Sequence, residues 1–147
     1  LINYIHEALI KNNIKVGYIS QNYLDVLDEN EIVIDFLMNN QKQFDQSKIR
    51  QILGTLGLKR EEMIFEIKRL SEGTKLKVLL LLMTANEYDI LLLDEVTRNI
   101  SPINQDEIYN LFLSFKGAII AITHDREFIE KVFDDVYELT KEGLFKK

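Results

Sequence analysis

The chain has 147 residues, 46% of them apolar and 29% charged, with a formal charge of −6 and no cysteine. This is one domain's worth of an ordinary globular sequence with enough apolar surface for a core. It excludes a disulfide framework, a thiolate metal site and a cysteine nucleophile, and its charge sign argues against non-specific nucleic-acid binding through a basic face. Two histidines, His6 and His124, are too few for a histidine-built metal site. The longest apolar run, Val78 to Met83, is far too short to span a bilayer, so no membrane insertion is expected. No signal-peptide pattern precedes the first periodic segment, which points to a cytoplasmic protein. The start at Leu1, in mid-pattern, points to part of something longer.

In chain order, Ile2, Ile5, Ala8, Leu9 and Ile10 predict a short amphipathic helix over 1–12, closed by the turn Lys11-Asn12-Asn13. Ile14 to Ser20 alternates and is β-rich, which predicts a strand ending in the polar loop Gln21-Asn22-Tyr23. From Leu24 to Leu70 the pattern turns helical. Ile32, Phe36 and Leu37 mark one helix, with Asp28, Glu29 and Glu31 as an acidic first turn suited to the helix dipole. Ser47 is the expected cap of a second, Lys48 to Leu56, whose Ile49, Ile52, Leu53 and Leu56 share a face and which Gly57 stops. Lys59 to Ile64 reads as a further helical turn. With little strand character, 24–70 is expected to form a helical subdomain inserted in an α/β core.

Leu70-Ser71-Glu72-Gly73-Thr74-Lys75 opens a long helix through Ala85. From Leu76 it is apolar except for Lys77, and a helix apolar on every side is buried. Ile90 to Leu93 is a short continuous apolar run, the mark of a strand covered on both faces of a parallel sheet, and it runs into two adjacent carboxylates, Asp94 and Glu95. Ser101-Pro102 starts a helix over 103–115. Gly117 turns the chain into a second buried strand, Ala118 to Thr123, ending at His124-Asp125. Asp125 is the expected cap of helix 126–133, and Val136 to Leu139 forms a last strand before a Lys-rich tail.

In open α/β sheets the chemistry sits beyond the carboxyl ends of the strands, so Asp94 and Glu95 face a crevice. Two readings of the pair stand. One is an acidic turn that ends a strand. The other is the carboxylate pair of an NTPase, one member holding Mg²⁺ and its neighbour orienting the attacking water. Taken alone, Gln21 also reads as a solvated loop amide, Ser71 as a plain N-cap and His124 as a structural histidine. Their order is the stronger signal. A strand ends in Gln21; Leu-Ser-x-Gly opens a buried helix at Leu70, Ser71 and Gly73; a strand ends in Asp94-Glu95; another ends in His124-Asp125.

This order resembles the C-terminal two-thirds of an ATP-binding cassette (ABC) nucleotide-binding domain, over nearly everything from Ile14 to Leu139. Ile49-Arg50-Gln51-Ile52-Leu53-Gly54 and Thr123-His124-Asp125-Arg126-Glu127-Phe128-Ile129 resemble, more narrowly, the ABC-F group of soluble tandem-cassette ATPases that act on ribosomes. The resemblance implies an α/β, P-loop NTPase-like fold with a mostly parallel sheet. It implies ATP and Mg²⁺ as cofactors, a second cassette that completes the ATP site, and a ribosome contacted through parts outside this segment. By the same resemblance Gln21 is the Q-loop glutamine, reaching Mg²⁺ and the attacking water. Ser71 and Gly73 are signature residues that bind the γ-phosphate of ATP held by the opposite cassette. Asp94 is the Walker B carboxylate on the metal, Glu95 the catalytic glutamate and His124 the switch histidine on the γ-phosphate. Glu72 departs from the pattern by replacing a signature glycine, so its carboxylate must point away from the phosphate or weaken the site. Val96 replaces a proline, and Ser101 stands where the D-loop aspartate that couples the two ATP sites belongs.

The phosphate-binding loop G-x-x-x-x-G-K-[ST] is absent, since no glycine here is followed by lysine. Without its N–H groups and lysine nothing cradles the β- and γ-phosphates, and the segment alone is expected to be inactive. The resemblance places that loop upstream of Leu1, with its strand between 118–123 and 136–139. An open seam is therefore expected there, with strand 136–139 displaced or a neighbouring chain filling the gap. Two further readings are the nucleotide-binding subunit of an ABC membrane transporter and a degenerate, non-hydrolysing dimerisation or regulatory cassette, the latter motivated by Glu72 and Ser101.

Overall fold

A computed structural model of the chain describes the backbone of residues 1–147 and every side chain except those of Leu24 and Asp25. Strand β2 (Ile90–Asp94) lies between two parallel neighbours, β1 (Val16–Ile19) and β3 (Ala118–Ile122), in the order β1-β2-β3. The registers run from Val16↔Ile90 to Ile19↔Leu93 and from Ile90↔Ala118 to Asp94↔Ile122. Leu91, Leu92 and Leu93 are fully buried, as the middle strand of a sheet covered on both faces requires. A Cβ at Gly17 of β1 would come 2.8 Å from Leu91 Cδ2, so a side chain there would have to displace that of Leu91.

Helix α1 (Ile2–Lys11) packs near β1 and β2, and α4 (Glu72–Ala85) packs on α2 (Val33–Asn40) and α5 (Pro102–Leu113). Nearly all of α4 is buried, the outcome of a helix with no polar face, and that burial includes Lys75 and Lys77. A buried charge needs a partner. Lys75 Nζ lies 2.7 Å from Glu29 Oε1, while Lys77 Nζ pairs with Glu107 and donates to the Leu56 carbonyl at 3.0 Å.

Between β1 and α4 the chain forms α2, α3 (Gln46–Thr55) and three 3-10 turns, at Tyr23–Val26, Glu62–Ile64 and Ile67–Arg69. Two boundaries differ from expectation. Asp45, not Ser47, caps α3, accepting the Lys48 N–H at 2.8 Å; its extended backbone starts the helix two residues earlier and leaves Ser47 inside. Asp28, Glu29 and Glu31 precede α2 rather than forming its first turn. The carbonyls of Glu29 and Glu31 accept the N–H groups of Lys68 and Ile67, each at 2.9 Å, and so are not free to begin a helix. Gly57 does end α3, with φ of +85°.

The far side of the sheet also differs. β3 is partly exposed rather than buried, because it is the last strand of its sheet. β4 (Tyr137–Thr140) does not join it. It pairs antiparallel with β5 (Gly143–Lys146), from Tyr137↔Lys146 to Thr140↔Gly143, so the Lys-rich end is a strand and not a tail. Among the described residues no strand pairs with the outer edge of β3, and Tyr137, Leu139, Leu144 and Phe145 of the hairpin are exposed. No helix among the described residues is long and apolar enough to cross a membrane.

Candidate active site

Parallel pairing places three strand ends at one edge of the sheet. Ile19, Leu93 and Ala121 lie in register across β1, β2 and β3. Two residues beyond these, past the strand ends, the chain reaches Gln21, Glu95 and Thr123, with His124 next. Asp94, the last residue of β2, is partly buried. The Tyr18 phenol on β1 is pushed above its ordinary range, first by burial and then by the Asp94 charge.

Glu95 has φ of +53°, a left-handed conformation uncommon for a residue with a side chain. Its N–H donates to the Ile122 carbonyl at 2.9 Å, extending the β2–β3 ladder by one bond. Its side chain, 20% exposed, reaches the end of β3: Oε2 accepts the His124 N–H at 3.4 Å and Oε1 lies 3.6 Å from His124 Nε2. The His124 ring is 96% exposed. It borders an open cavity of about 660 Å³, lined also by Glu95, Thr97, Arg98, Gln105 and Asp125.

Asp125 caps α6 (Arg126–Val132), its Oδ1 accepting the Phe128 N–H at 3.1 Å, while Oδ2 accepts the Tyr109 hydroxyl at 2.9 Å. Burial pushes the Asp125 carboxyl up, but the Phe128 N–H and Tyr109 hydroxyl outweigh it and hold the group below the usual carboxylate range. The Tyr109 phenol is raised, by burial first and by Asp125 next. Tyr109 was not among the residues picked from sequence, and nothing about its setting between Ile108 and Asn110 marks it. Thr97, Arg98 and Gln105 were missed as lining residues too, although Arg98, in the turn after Glu95, was within reach of the motif.

Ser71 and Gly73 lie elsewhere, at the start of α4. Ser71 is the N-cap: its Oγ accepts the Thr74 N–H at 3.2 Å and shares a 2.8 Å hydrogen bond with the Thr74 hydroxyl. A hydroxyl has one donor and two acceptor positions, so capping leaves capacity for a ligand. At Gly73 a Cβ would lie 3.2 Å from Asn104 Nδ2, so glycine permits the close approach of α4 to α5. Glu72 is turned toward Tyr23, whose hydroxyl donates to Oε2 at 3.1 Å, and toward Lys75 Nζ at 3.4 Å. Neither Ser71 nor Gly73 lines the cavity beside Glu95.

Among the described residues no group of three or more His, Cys, Asp or Glu side chains could hold a metal ion. Asp94 and the Gln21 amide each offer a hard oxygen donor of the kind Mg²⁺ takes, and neither lines the cavity beside Glu95.

The family model described as ABC transporter matches residues 4–98, well over half of the chain. The probable ATP-binding protein YheS of Escherichia coli K12 is 30% identical over 131 residues, 89% of this chain and 21% of its own length. The ribosome protection protein VmlR of Bacillus subtilis is 24% identical over 90% of this chain and 24% of its own length. Mouse ATP-binding cassette sub-family F member 3 is 27% identical over 85% of this chain and 18% of its own length. The chain thus spans about a fifth of these relatives. A metal-chelate-type ABC transporter in an inward-facing conformation superposes with a TM-score of 0.70 at 21% identity, covering 90% of this chain and 58% of that one. A dimeric ATP-binding cassette in a post-hydrolysis state bound to ADP and phosphate does so with a TM-score of 0.58 at 20% identity, covering 86% and 60%. The fold is the α/β, P-loop NTPase-like nucleotide-binding fold of ABC ATPases, with a parallel core sheet and helical insertions. By the match of well over half its length, the chain belongs to the ABC transporter family.

Proposed function

We propose that this chain is the hydrolytic part of an ATPase cassette of the ABC-F type, acting in the cytoplasm on ribosomes and closing on a second cassette around ATP. The observation that carries the reading is the Glu95 carboxylate against His124 where β2 and β3 end, just past Asp94. Bound ATP and Mg²⁺ supply the phosphoryl group and neutralise its charge. Glu95 orients the attacking water and accepts its proton, in a position only 20% open to solvent. His124, projecting into the cavity, would contact the γ-phosphate of bound ATP, Asp94 would hold Mg²⁺, and Gln21 would reach the metal and the water. Ser71 and the first N–H groups of α4, beside Gly73, serve the phosphate of ATP on the opposite cassette, using the free donors of a helix start. Residues 24–70 act as the inserted helical subdomain. The phosphate cradle lies outside this chain, and the chain by itself does not turn over ATP.

The nucleotide-binding subunit of a membrane transporter would use the same residues. The segment Ile49 to Gly54 favours ABC-F, as do a sub-family F member and a ribosome protection protein among the relatives. The test is co-sedimentation of the full-length protein carrying Glu95→Gln with ribosomes, with and without ATP. Stalled in the closed state, it should pellet with ribosomes only when ATP is present. Absence of ribosome binding, with recovery in the membrane fraction, would replace this reading with the transporter one.

A further inference from the structure

We propose that Tyr23 and Glu72 are positioning residues, and that the hydrogen bond between them makes the loop carrying Gln21 and the helix start carrying Ser71 move as one body. The inference rests on the ATPase reading above. Tyr23 stands two residues after Gln21, and Glu72 directly follows Ser71, yet the two are 49 residues apart in sequence. The Tyr23 side chain is 2% exposed, so its hydroxyl has little water to turn to. It donates to Glu72 Oε2 at 3.1 Å. The other carboxylate oxygen of Glu72 lies 3.4 Å from Lys75 Nζ, and Lys75 lies 2.7 Å from Glu29 Oε1.

Four side chains therefore join three segments: the loop after β1, the stretch before α2 and the first turn of α4. Burial alone would lower Lys75, but Glu29 and Glu72 outweigh it and keep the ammonium charged. A carboxylate in the first turn is also favoured by the helix dipole. If α4 moved without the Gln21 loop, the buried Tyr23 phenol would lose its carboxylate acceptor. That asymmetry between making and stranding a buried polar group is what couples the two segments. A glycine at position 72 would keep only the longer contact of the Tyr23 hydroxyl with the backbone carbonyl, 3.5 Å here, so the carboxylate bond belongs to this sequence rather than to the motif it resembles.

The test uses the full-length protein with Tyr23→Phe, Glu72→Ala, their double variant and Glu72→Gln. Two readouts are followed: amide hydrogen exchange of residues 21–23, and steady-state ATP turnover. Tyr23→Phe and Glu72→Ala should each speed exchange of the loop about tenfold while α5 is unchanged. Each should lower kcat about three- to tenfold with KM for ATP held, and the double variant should be no worse than either single. Glu72→Gln keeps an acceptor for the phenol and should retain at least half of the wild-type kcat. Unchanged kcat in Tyr23→Phe, a higher kcat in Glu72→Ala or strictly additive effects would overturn the inference. A wild-type protein that shows the exchange coupling but hydrolyses no ATP would instead overturn the ATPase reading.

Discussion

Asp125 joins a strand end to a helix start with one carboxylate, and its two oxygens have separate duties. Oδ1 satisfies the Phe128 N–H at the start of α6, and Oδ2 receives the Tyr109 hydroxyl from α5. Both bonds favour the charged form, which is why the group titrates below its usual range despite burial. A depressed carboxyl contributes stability that is complete above its unfolded pKa, near about 3.9, and is lost as pH falls through the lower folded value. Asp125→Ala is therefore expected to cost about 1–2 kcal/mol at neutral pH, the range of a lost helix cap, with the gap from wild type closing below about pH 3.9. Urea unfolding of both proteins across that pH range measures it, and a gap that stays constant would contradict the account. Asp125 was legible as a cap because a short polar residue stood between an apolar run and a helical pattern. Its partner Tyr109 was not, because a hydrogen bond between helices leaves no local spacing to read. The positive φ of Glu95 was equally invisible, since a turn without glycine carries no mark of that conformation.

Helix α6 spans Arg126–Val132, seven residues, too short to persist on cap and propensity alone. What holds it is Phe128, fully buried, with ring centres of Tyr109 and Phe112 at 5.2 Å and that of Phe133 at 5.1 Å. Phe128→Ala should cost about 3–5 kcal/mol by removing both the buried area and the filled volume. A loss below about 1 kcal/mol in denaturant unfolding would show that α6 is held by something else. Elements were legible where one force dominates. The all-apolar face of α4 and the unbroken Leu run of β2 allow only burial, and both are buried as read. Where a tertiary bond competes with local preference the reading slipped, as at Glu29 and Glu31, whose carbonyls serve Lys68 and Ile67 instead of a helix. β5 was missed because flanking lysines masked Leu144 and Phe145, and Gly143, with φ of +139°, was read as part of a tail instead of a hairpin turn.

Across the whole molecule, the sheet edge was legible because the apolar runs define the strands and parallel register then brings their ends together. Asp94 is placed there by its pairing with β3, and Glu95 and His124 follow directly at the ends of β2 and β3. Ser71 and Gly73 are placed by α4, whose Glu72 accepts a hydrogen bond from Tyr23, two residues after Gln21. The exposed outer edge of β3 and the separate β4–β5 hairpin were foreshadowed only by the family resemblance, since strand composition does not reveal which neighbours a strand has. The central claim is that the Glu95 carboxylate activates water at the end of β2. Single-turnover ATP hydrolysis by the full-length protein, wild type against Glu95→Gln, tests it most directly. The account predicts a loss of about 10²–10⁴-fold in the hydrolysis rate with ATP affinity kept, the range for removing a general base. Hydrolysis that continues at the wild-type rate in Glu95→Gln would contradict it.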